Sequence, residues 1–322
     1  MDTISYAIII EEIARVSPSE ALNVTVHNSV CAYPIQKWGT KQQKIKYLPE
    51  LATGEHIGCF SITEPNAGSD VAGTQTTATL KGGNYVLNGR KVFVTNGGIG
   101  STFLIGATTD KAKGVRGLTI FILEKGMDGF SVGKIENKLG MRGSSTSELI
   151  LDNVVVPREH ILGRESGGFK IAMETLNAGR IGIAAQAVGI SQAAFELSTE
   201  YARNRKQFGK ALNTFQAVSF KLADMLTETE MARLLVQRAA FLKDSHSPYA
   251  REAAQCKVVA SETAMKSTTN AIQIFGGYGF IKDFPIEMFF RDAKVTEIYE
   301  GTSEVMRIII AQDIIKNFRK MM

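Results

Sequence analysis

The sequence predicts a multidomain α+β protein with N-terminal helices, a central antiparallel β-barrel or β-sandwich domain, and a C-terminal four-helix bundle. Two changes in residue pattern support this fold class. From about residue 55 to residue 160, β-branched and aromatic runs are separated by glycine and asparagine, as in short strands. After Pro157, apolar residues recur at helical spacing to the end of the chain. We therefore expect domains at residues 1–54, 55–160 and 161–322.

Two helical patterns precede the strand-like region. SYAIIIEEIARV places Ile8, Ile9 and Ile13 on one side of a helix. KQQKIKYLPELATGEH predicts a short helix that ends at Gly54, because glycine is favoured just after helix C-termini.

The central region shows strand patterns without helices between them. GGNYVLNGRKVFVTNGG predicts two short strands joined across Asn88 and Gly89, since Asn-Gly is typical of two-residue hairpin turns. GLTIFILEK, GFSVGKI and TSELILDNVVV continue in the same style. An antiparallel barrel or sandwich is therefore favoured over a parallel α/β sheet.

The last region contains repeated helical seams. The clearest seam steps by four and three residues through Val218, Leu222, Met225, Thr229, Ala232, Val236 and Ala239. Similar seams run through residues 168–201, 250–275 and 303–318. Four helices joined by short loops predict an antiparallel bundle.

Composition excludes several classes of protein. The 37 basic and 32 acidic residues are interleaved and give a net charge of +5, which suits a phosphorylated cofactor better than nucleic acid. No apolar run approaches the roughly 20 residues of a membrane span, and no signal-peptide pattern opens the chain. Cys31, Cys59 and Cys256 form neither a disulfide framework nor a metal-ligand pattern. We expect a reducing cytosol, with no metal, membrane or nucleic-acid partner.

Two motifs at predicted strand ends carry polar groups. FSITEPNAGSD, residues 60–70, follows one strand, and FVTNGG, residues 93–98, ends another. A simple turn and a core-packed Phe93 would explain them. The alternative is that their backbone amides, hydroxyls and ring bind a polar planar ligand.

Two motifs in the helical region have a similar ambiguity. RKQFG, residues 205–209, could be a helix C-terminus with favourable charge, or a diphosphate site. QIFGGYGF, residues 273–280, closes a helix with Gly276 and Gly277. Capping explains one glycine, whereas two adjacent ones also allow close approach of a ligand. Walker loops and G-x-G-x-x-G patterns after a strand are missing, so a Rossmann nicotinamide site is not supported.

VTEIYEGTSEV contains three glutamates, of which Glu300 has the setting of a buried base. Tyr299 adds apolar bulk, and Gly301 breaks the helical pattern and allows close backbone approach. Thr302 and Ser303 can begin a helix whose N–H groups are free for phosphate. A carboxylate whose pKa burial raises towards neutrality is an effective base.

Six motifs in order, TEPNAGSD, FVTNGG, GRIGIAAQAVGISQ, RKQFGKAL, QIFGGYGF and RDAKVTEIYEGTSE, closely resemble the acyl-CoA dehydrogenases over nearly the whole chain. The details look most like the short-chain, butyryl-CoA dehydrogenase branch. The resemblance implies FAD-dependent α,β-dehydrogenation of a short- to medium-chain acyl-CoA to the trans-2-enoyl-CoA, with electrons passed to electron-transferring flavoprotein. It also implies a homotetramer, a dimer of dimers, in the cytoplasm, or in the mitochondrial matrix of a eukaryote. Relatives carry two further helices before the one that matches SYAIIIEEIARV.

The resemblance implies FAD contacts from both the strand and the helical motifs. Phe60, Ile62 and Thr63 would line the flavin ring, Phe93 would pack against it, and Thr95 would give a hydroxyl to its hydride-accepting nitrogen. The diphosphate and adenosine half, partly supplied by a neighbouring subunit, would contact Arg205, Gln207, Phe215, Gln216, Gln273, Gly276, Gly277, Thr302 and Ser303.

For the substrate, the resemblance implies that Glu300 removes the α-proton of the acyl group. Ser69, which is also counted with the cofactor residues, would reach the CoA portion. Arg180 and Asn177 in LNAGR would lie near the thioester or the CoA arm, and Gly301 would let the backbone approach the thioester.

Four alternatives stay open from the sequence. An acyl-CoA oxidase would use the same scaffold with oxygen as acceptor, and a glutaryl-CoA type would also decarboxylate its substrate. A DNA-associated member of the fold would need a basic face, for which the interleaved charges offer little support. The last alternative is a structural bundle without cofactor.

Overall fold

The computed structural model describes residues 1–321, with side chains up to residue 318. Contacts group the described residues into two compact units. The first unit contains Met1–Leu22, Lys138–Arg142 and the chain from Arg180 onward, and the second contains Asn23–Asn137 and Gly143–Gly179. The division into three domains stays a prediction.

The order of elements confirms the predicted fold class of N-terminal helices, a β-domain and C-terminal helices. The chain begins with α1 (Thr3–Val16), α2 (Pro18–Thr25), a π-helical segment (Val26–Ala32), α3 (Tyr33–Trp38) and α4 (Lys41–Thr53). It continues with β1 (Gly58–Ser61), β2 (Thr77–Lys81), β3 (Asn84–Thr95), β4 (Thr102–Thr108), β5 (Leu118–Glu124), β6 (Phe130–Ile135) and β7 (Thr146–Pro157). It then forms α5 (Gly168–Asn204), β8 (Lys206–Gln207), β9 (Lys210–Ala211), α6 (Gln216–Asp244), α7 (Ala250–Phe275), α8 (Ile286–Thr296) and α9 (Ser303–Met321).

The second unit is built on a sheet of seven strands in the order β1-β4-β2-β3-β7-β6, with β5 paired to β4. Most pairs are antiparallel, as predicted, but β1 runs parallel to β4, and β2 meets β4 in parallel at Thr77 and Thr108. Parallel pairing requires a long connection, and the β2–β3 hairpin supplies it between β1 and β4.

The predicted turn at Asn88 and Gly89 is wrong. Strand β3 runs through both residues with a register shift against β7. The turn between β2 and β3 instead lies at Gly82 and Gly83, where φ is 57° and 89°. Gly89 has a different purpose, because a Cβ there would lie 2.8 Å from the Thr76 Cα. The glycine permits close backbone approach rather than reversal of the chain.

The sheet has a core on each face because successive side chains of a strand point to opposite sides. On one face, Phe103, Ile105, Phe121 and Leu123 pack with residues of β3 and β7. On the other face, Leu104, Ile120 and Ile122 pack with the helical residues Ile35, Tyr47 and Leu51. Helix α4 ends with Gly54 at a φ of 78°, as predicted.

The first unit is helical, with α7 in contact with α6, α8 and α9 and α1 in contact with α6. The predicted seam of α6 is buried at Met225, Thr229, Ala232, Val236 and Ala239. The sequence prediction missed α8, whose 11 residues are too short to show a long seam.

The predicted face of α1 is wrong. Ile8 and Ile9 are 49% and 43% exposed, whereas Ala7, Ile10 and Ala14 are buried. The buried side carries small residues because α5 passes close to it. A Cβ added to Gly189 of α5 would lie 2.8 Å from the Ala14 Cβ.

RKQFG does not end α5, which stops one residue before Arg205. It forms a small hairpin of β8 and β9, with Phe208 and Gly209 in the turn at φ values of 51° and 77°. The glycine therefore supports a strand turn instead of a helix cap. Among the helices that the structure describes, none is both long and apolar enough to cross a bilayer.

Candidate active site

Glu300 lies in the turn between α8 and α9, in a backbone conformation that is unusual for its residue type. Its φ is 52°, and the φ of Gly301 is 107°. A non-glycine residue in this region is strained by roughly 1–3 kcal/mol and is often found at functional sites. The Ser303 N–H closes the turn by donating to the Glu297 carbonyl at 3.0 Å.

The helix start predicted after the turn is confirmed, but the Ser303 N–H is not free for phosphate because it donates to the Glu297 carbonyl. Helix α9 begins at Ser303, and the Thr302 hydroxyl accepts from the Val305 N–H at 3.3 Å. The Gly301 position has little space, since an added Cβ would lie 2.6 Å from the Met306 Cε. The Met306 side chain is flexible and can move aside, but the φ of 107° at Gly301 is rarely adopted by residues with a side chain, so another residue at 301 would strain the turn.

The Glu300 carboxylate is enclosed without being bonded. Both of its oxygens are inaccessible to solvent and lack a hydrogen-bond partner among the described residues. Burial raises the pKa of Glu300 to about 7, although the positive charges of Arg180 and Lys257 act in the opposite direction. A carboxylate with a pKa near the working pH can both accept and release a proton efficiently.

Arg180 of α5 contacts the backbone of the turn. Its Nε donates to the Glu300 carbonyl at 3.2 Å, and its side chain is buried. Burial lowers the pKa of Arg180, and the negative charge of Glu300 opposes this effect. The structure thus brings two predicted site residues together, while a contact of Arg180 with the thioester or CoA stays a prediction.

Lys257 of α7 also belongs to the surroundings of Glu300, although the sequence motifs did not indicate it. Its Nζ is buried and donates to the Gly301 carbonyl at 2.7 Å. Burial lowers the pKa of Lys257 to about 8. The sequence did contain a signal, since Lys257 occupies a seam position between the buried residues Ala253, Ala260 and Ala264.

Tyr299 has a hydrogen-bond partner that the sequence did not indicate. Its hydroxyl is hydrogen-bonded to the Gln186 Oε1, and the Gln186 Nε2 donates to the Pro18 carbonyl at 2.7 Å. Burial raises the pKa of Tyr299 well above its usual range. The Tyr299 side chain next to Glu300 is therefore neutral and held in one position by its hydrogen bond.

The second unit holds the predicted residues of the strand motifs. The Val92 N–H donates to the Thr63 carbonyl at 3.0 Å, which brings the chain after β1 beside β3. The following Phe93 has a φ of 57° and is 66% exposed, and Thr95 at the end of β3 is half-buried. Phe93 is therefore not packed in the core.

A buried ion pair holds the loop that follows β1. The sequence motifs did not indicate this pair. The Lys91 Nζ lies 2.7 Å from the Glu64 Oε1 and donates to the Ile62 carbonyl at 3.3 Å. The Gln75 and Thr76 N–H groups donate to the Glu64 carboxylate at 2.6 and 3.0 Å. Burial would raise the pKa of Glu64, but the Lys91 charge and these hydrogen bonds hold it below its usual value.

The remaining predicted residues lie at different places in the two units. Ser69 is exposed on the loop after β1, while Phe60 and Asn177 are half-buried and Ile62 is buried. In the first unit, the Arg205 guanidinium lies 5.6 Å from the centre of the Tyr278 ring, close to the glycine pair. The other members of this group are exposed at Gln207, Gln216, Gln273, Gly276 and Gly277 and half-buried at Phe215. A single site formed from all these groups stays a prediction.

Three family models match this chain. The acyl-CoA dehydrogenase N-terminal domain matches residues 1–55, the middle domain residues 59–154, and the C-terminal domain residues 166–315. Together they span the helices, the sheet and the Glu300 turn. The matches define an oxidoreductase of the flavoprotein class.

The chain belongs to the acyl-CoA dehydrogenase family. It is 50% identical over 315 residues to the short-chain specific acyl-CoA dehydrogenase of Clostridium acetobutylicum, covering 98% of this chain and 83% of that protein. The structure of butyryl-CoA dehydrogenase from Megasphaera elsdenii is 48% identical with a TM-score of 0.96, covering 98% of this chain and 82% of that one.

A third similar chain comes from a structure described as "Electron transferring flavoprotein of Acidaminococcus fermentans: Towards a mechanism of flavin-based electron bifurcation". Its TM-score is 0.97 at 49% identity, and the match covers 98% of this chain and 83% of that chain. These relatives confirm the predicted resemblance to the short-chain, butyryl-CoA branch.

Proposed function

We propose that the chain catalyses the FAD-dependent α,β-dehydrogenation of a short- to medium-chain acyl-CoA to the trans-2-enoyl-CoA, with Glu300 as the base. The observation that carries this proposal is the enclosed carboxylate of Glu300, which has no hydrogen-bond partner among the described residues and a pKa of about 7. The names of the short-chain and butyryl-CoA relatives support the substrate class.

The reaction requires a base for a very weakly acidic proton. The α-carbon of the acyl thioester loses its proton to a carboxylate oxygen of Glu300, which becomes a neutral acid. Exclusion of water keeps that oxygen available, because a hydrated carboxylate would be a weak base with a pKa near 4.3. Glu300 lies outside both α8 and α9, so its N–H is not committed to a helix and can polarise the thioester carbonyl.

The residues of the strand and helix motifs fit FAD. The exposed ring of Phe93 offers a stacking surface beside the half-buried Thr95 hydroxyl. The exposed Arg205 can contact a diphosphate, and an added Cβ at Gly276 or Gly277 would meet nothing within 4 Å, which leaves space for a ligand. FAD bound there would supply the acceptor for the hydride that leaves the β-carbon.

Two partners complete the proposal. Electron-transferring flavoprotein is the proposed acceptor, supported by the similar chain in a structure described by that name. A homotetramer with FAD sites shared between subunits is also proposed. Membership of the acyl-CoA dehydrogenase family supports this assembly.

The first test replaces the proposed base. Glu300→Gln should retain flavin absorbance but lower kcat for butyryl-CoA at least about a hundredfold, because a positioned base contributes roughly that factor. Reduction of an artificial dye measures turnover without requiring the natural acceptor. Glu304→Gln is the matched control, since Glu304 is an exposed glutamate four residues away. Full activity of Glu300→Gln would show that another group removes the proton.

A further inference from the structure

Two cations from different helices bind successive carbonyls of the Glu300 turn. Arg180 of α5 donates to the Glu300 carbonyl, and Lys257 of α7 donates to the Gly301 carbonyl. Both residues of the turn have positive φ. Because such a backbone is strained at Glu300, external contacts are needed to keep it in one conformation.

The choice of lysine at 257 needs an explanation beyond packing. A buried ammonium group is unfavourable, and an apolar residue of similar volume often gives equal or greater stability. The hydrogen-bond partner of Lys257 among the described residues is a carbonyl, so its charge is not neutralised by a bonded carboxylate. The carboxylate of the preceding residue, Glu300, likewise has no bonded cation among the described residues.

Among the described residues, four charged side chains have the largest effect on Lys257. Glu300 and Glu297 belong to the turn, Glu304 begins α9, and Arg180 comes from α5. Glu297 already has an ion pair with Lys294 at 2.6 Å, and Glu304 is exposed to solvent. Glu300 is therefore the enclosed negative charge that interacts most strongly with Lys257. The neighbouring Tyr299 phenol stays neutral, because burial raises its pKa well above the usual value, and it adds no second negative charge.

We propose that Lys257 is a positioning residue that fixes the Glu300–Gly301 turn through the Gly301 carbonyl and favours the ionised form of Glu300 without binding its carboxylate. A direct ion pair would occupy the oxygen that must accept the proton. A cation bonded to the adjacent peptide supplies a favourable potential and leaves both oxygens free. This inference rests on the proposed role of Glu300 as base.

Three substitutions at one position separate the bond from the charge. Lys257→Arg keeps the charge, Lys257→Gln keeps a donor for the carbonyl without charge, and Lys257→Met removes both. Loss of a nearby opposite charge should raise the pKa of Glu300 by about one unit. At pH 7 the ionised fraction would then fall about fivefold, from roughly one half to roughly one tenth.

The decisive readout is the protonation of Glu300, which is measured independently of turnover. Infrared spectra recorded across the pH range should show a protonated carboxyl band that is missing from Glu300→Gln. We expect its midpoint near pH 7 in the unmodified protein and Lys257→Arg, and about one unit higher in Lys257→Gln and Lys257→Met. Lys266→Met is the matched control, because Lys266 lies exposed on the same helix and pairs with Glu228.

The kinetic profile of the FAD-loaded protein provides the second readout. The pH midpoint of kcat/KM for butyryl-CoA should move with the infrared midpoint, and Lys257→Arg should restore it. An unshifted midpoint in Lys257→Gln would overturn the positioning role, even if Lys257→Met failed to fold. Full activity of Glu300→Gln would instead overturn the proposed function itself, so the two failures are distinguishable.

Discussion

Each of the two units contains a glutamate whose carboxylate is buried, with a buried lysine nearby, but the two arrangements are opposite. Glu64 is bonded directly to Lys91 and to two backbone N–H groups. The Glu300 carboxylate has no hydrogen-bond partner among the described residues, and Lys257 binds the carbonyl of the following residue instead. The pKa of Glu64 is therefore lowered and that of Glu300 is raised. Hydrogen bonding makes one carboxylate a structural anchor, and its absence leaves the other free to accept a proton in the proposed reaction.

The largest expected effect comes from breaking the structural pair. Lys91→Met leaves the Glu64 carboxylate buried without its cation, and we expect a loss of about 3–5 kcal/mol in the free energy of unfolding. Urea unfolding measures this change. The double variant Lys91→Met with Glu64→Gln should recover part of the loss, because no charge then remains unpaired. Equal stability of Lys91→Met and the unmodified protein would show that the pair is not a structural anchor.

A smaller change of opposite sign is expected at the Glu300 carboxylate. Burial raises the pKa of Glu300 from 4.5 to about 7 in the folded state, so its destabilising effect builds up between pH 4.5 and pH 7 and is constant above pH 7. Glu300→Gln should therefore increase the free energy of unfolding by about 1–3 kcal/mol at pH 8. This gain in the free energy of unfolding should decrease as the pH falls through 7. It should vanish below about pH 4.5, where Glu300 is neutral in both the folded and the unfolded state.

Glu64→Gln is the matched comparison for that measurement. The pKa of Glu64 is lowered on folding, so its ionised form stabilises the protein at neutral pH, and this contribution is lost in acid. The Gln variant should thus be less stable than the unmodified protein at pH 8. If both Gln variants changed stability in the same direction at that pH, the contrast between the two carboxylates would be wrong.

The smallest expected effect is the pH dependence of turnover. Because the base must be ionised, kcat/KM for butyryl-CoA should fall about tenfold for each unit below pH 7 and level off above it. A dye-reduction assay in buffers of constant ionic strength measures the profile. A profile with no inflection between pH 5 and pH 8 would contradict the raised pKa of Glu300.

The sequence predicted much of the architecture because the strand and helix patterns are long and regular. The seam of α6 and the helix start at Ser303 follow directly from residue spacing and capping chemistry. The prediction of a turn at Asn88 and Gly89 was wrong for a physical reason. Glycine allows a chain to reverse, but it equally allows close packing, here against Thr76. Local sequence does not distinguish these two uses.

The supporting residues of the site were harder to predict than Glu300 itself. Lys91 and Lys257 act through contacts with residues 27 and 44 positions away in the chain. Each looks like an ordinary lysine until the partner element is placed beside it. The pattern of α7 offered a clue at Lys257, whereas nothing local marked Glu64 and Lys91 as a pair.

Arg180 and Lys257 hold the Glu300 turn through main-chain oxygens, which every amino acid possesses. Exchange of the side chain at 300 therefore leaves both anchoring bonds chemically intact. Aspartate and asparagine tolerate a left-handed backbone better than glutamate does. The turn is thus a ready frame in which protein engineers can install other reactive groups without rebuilding the surrounding helices.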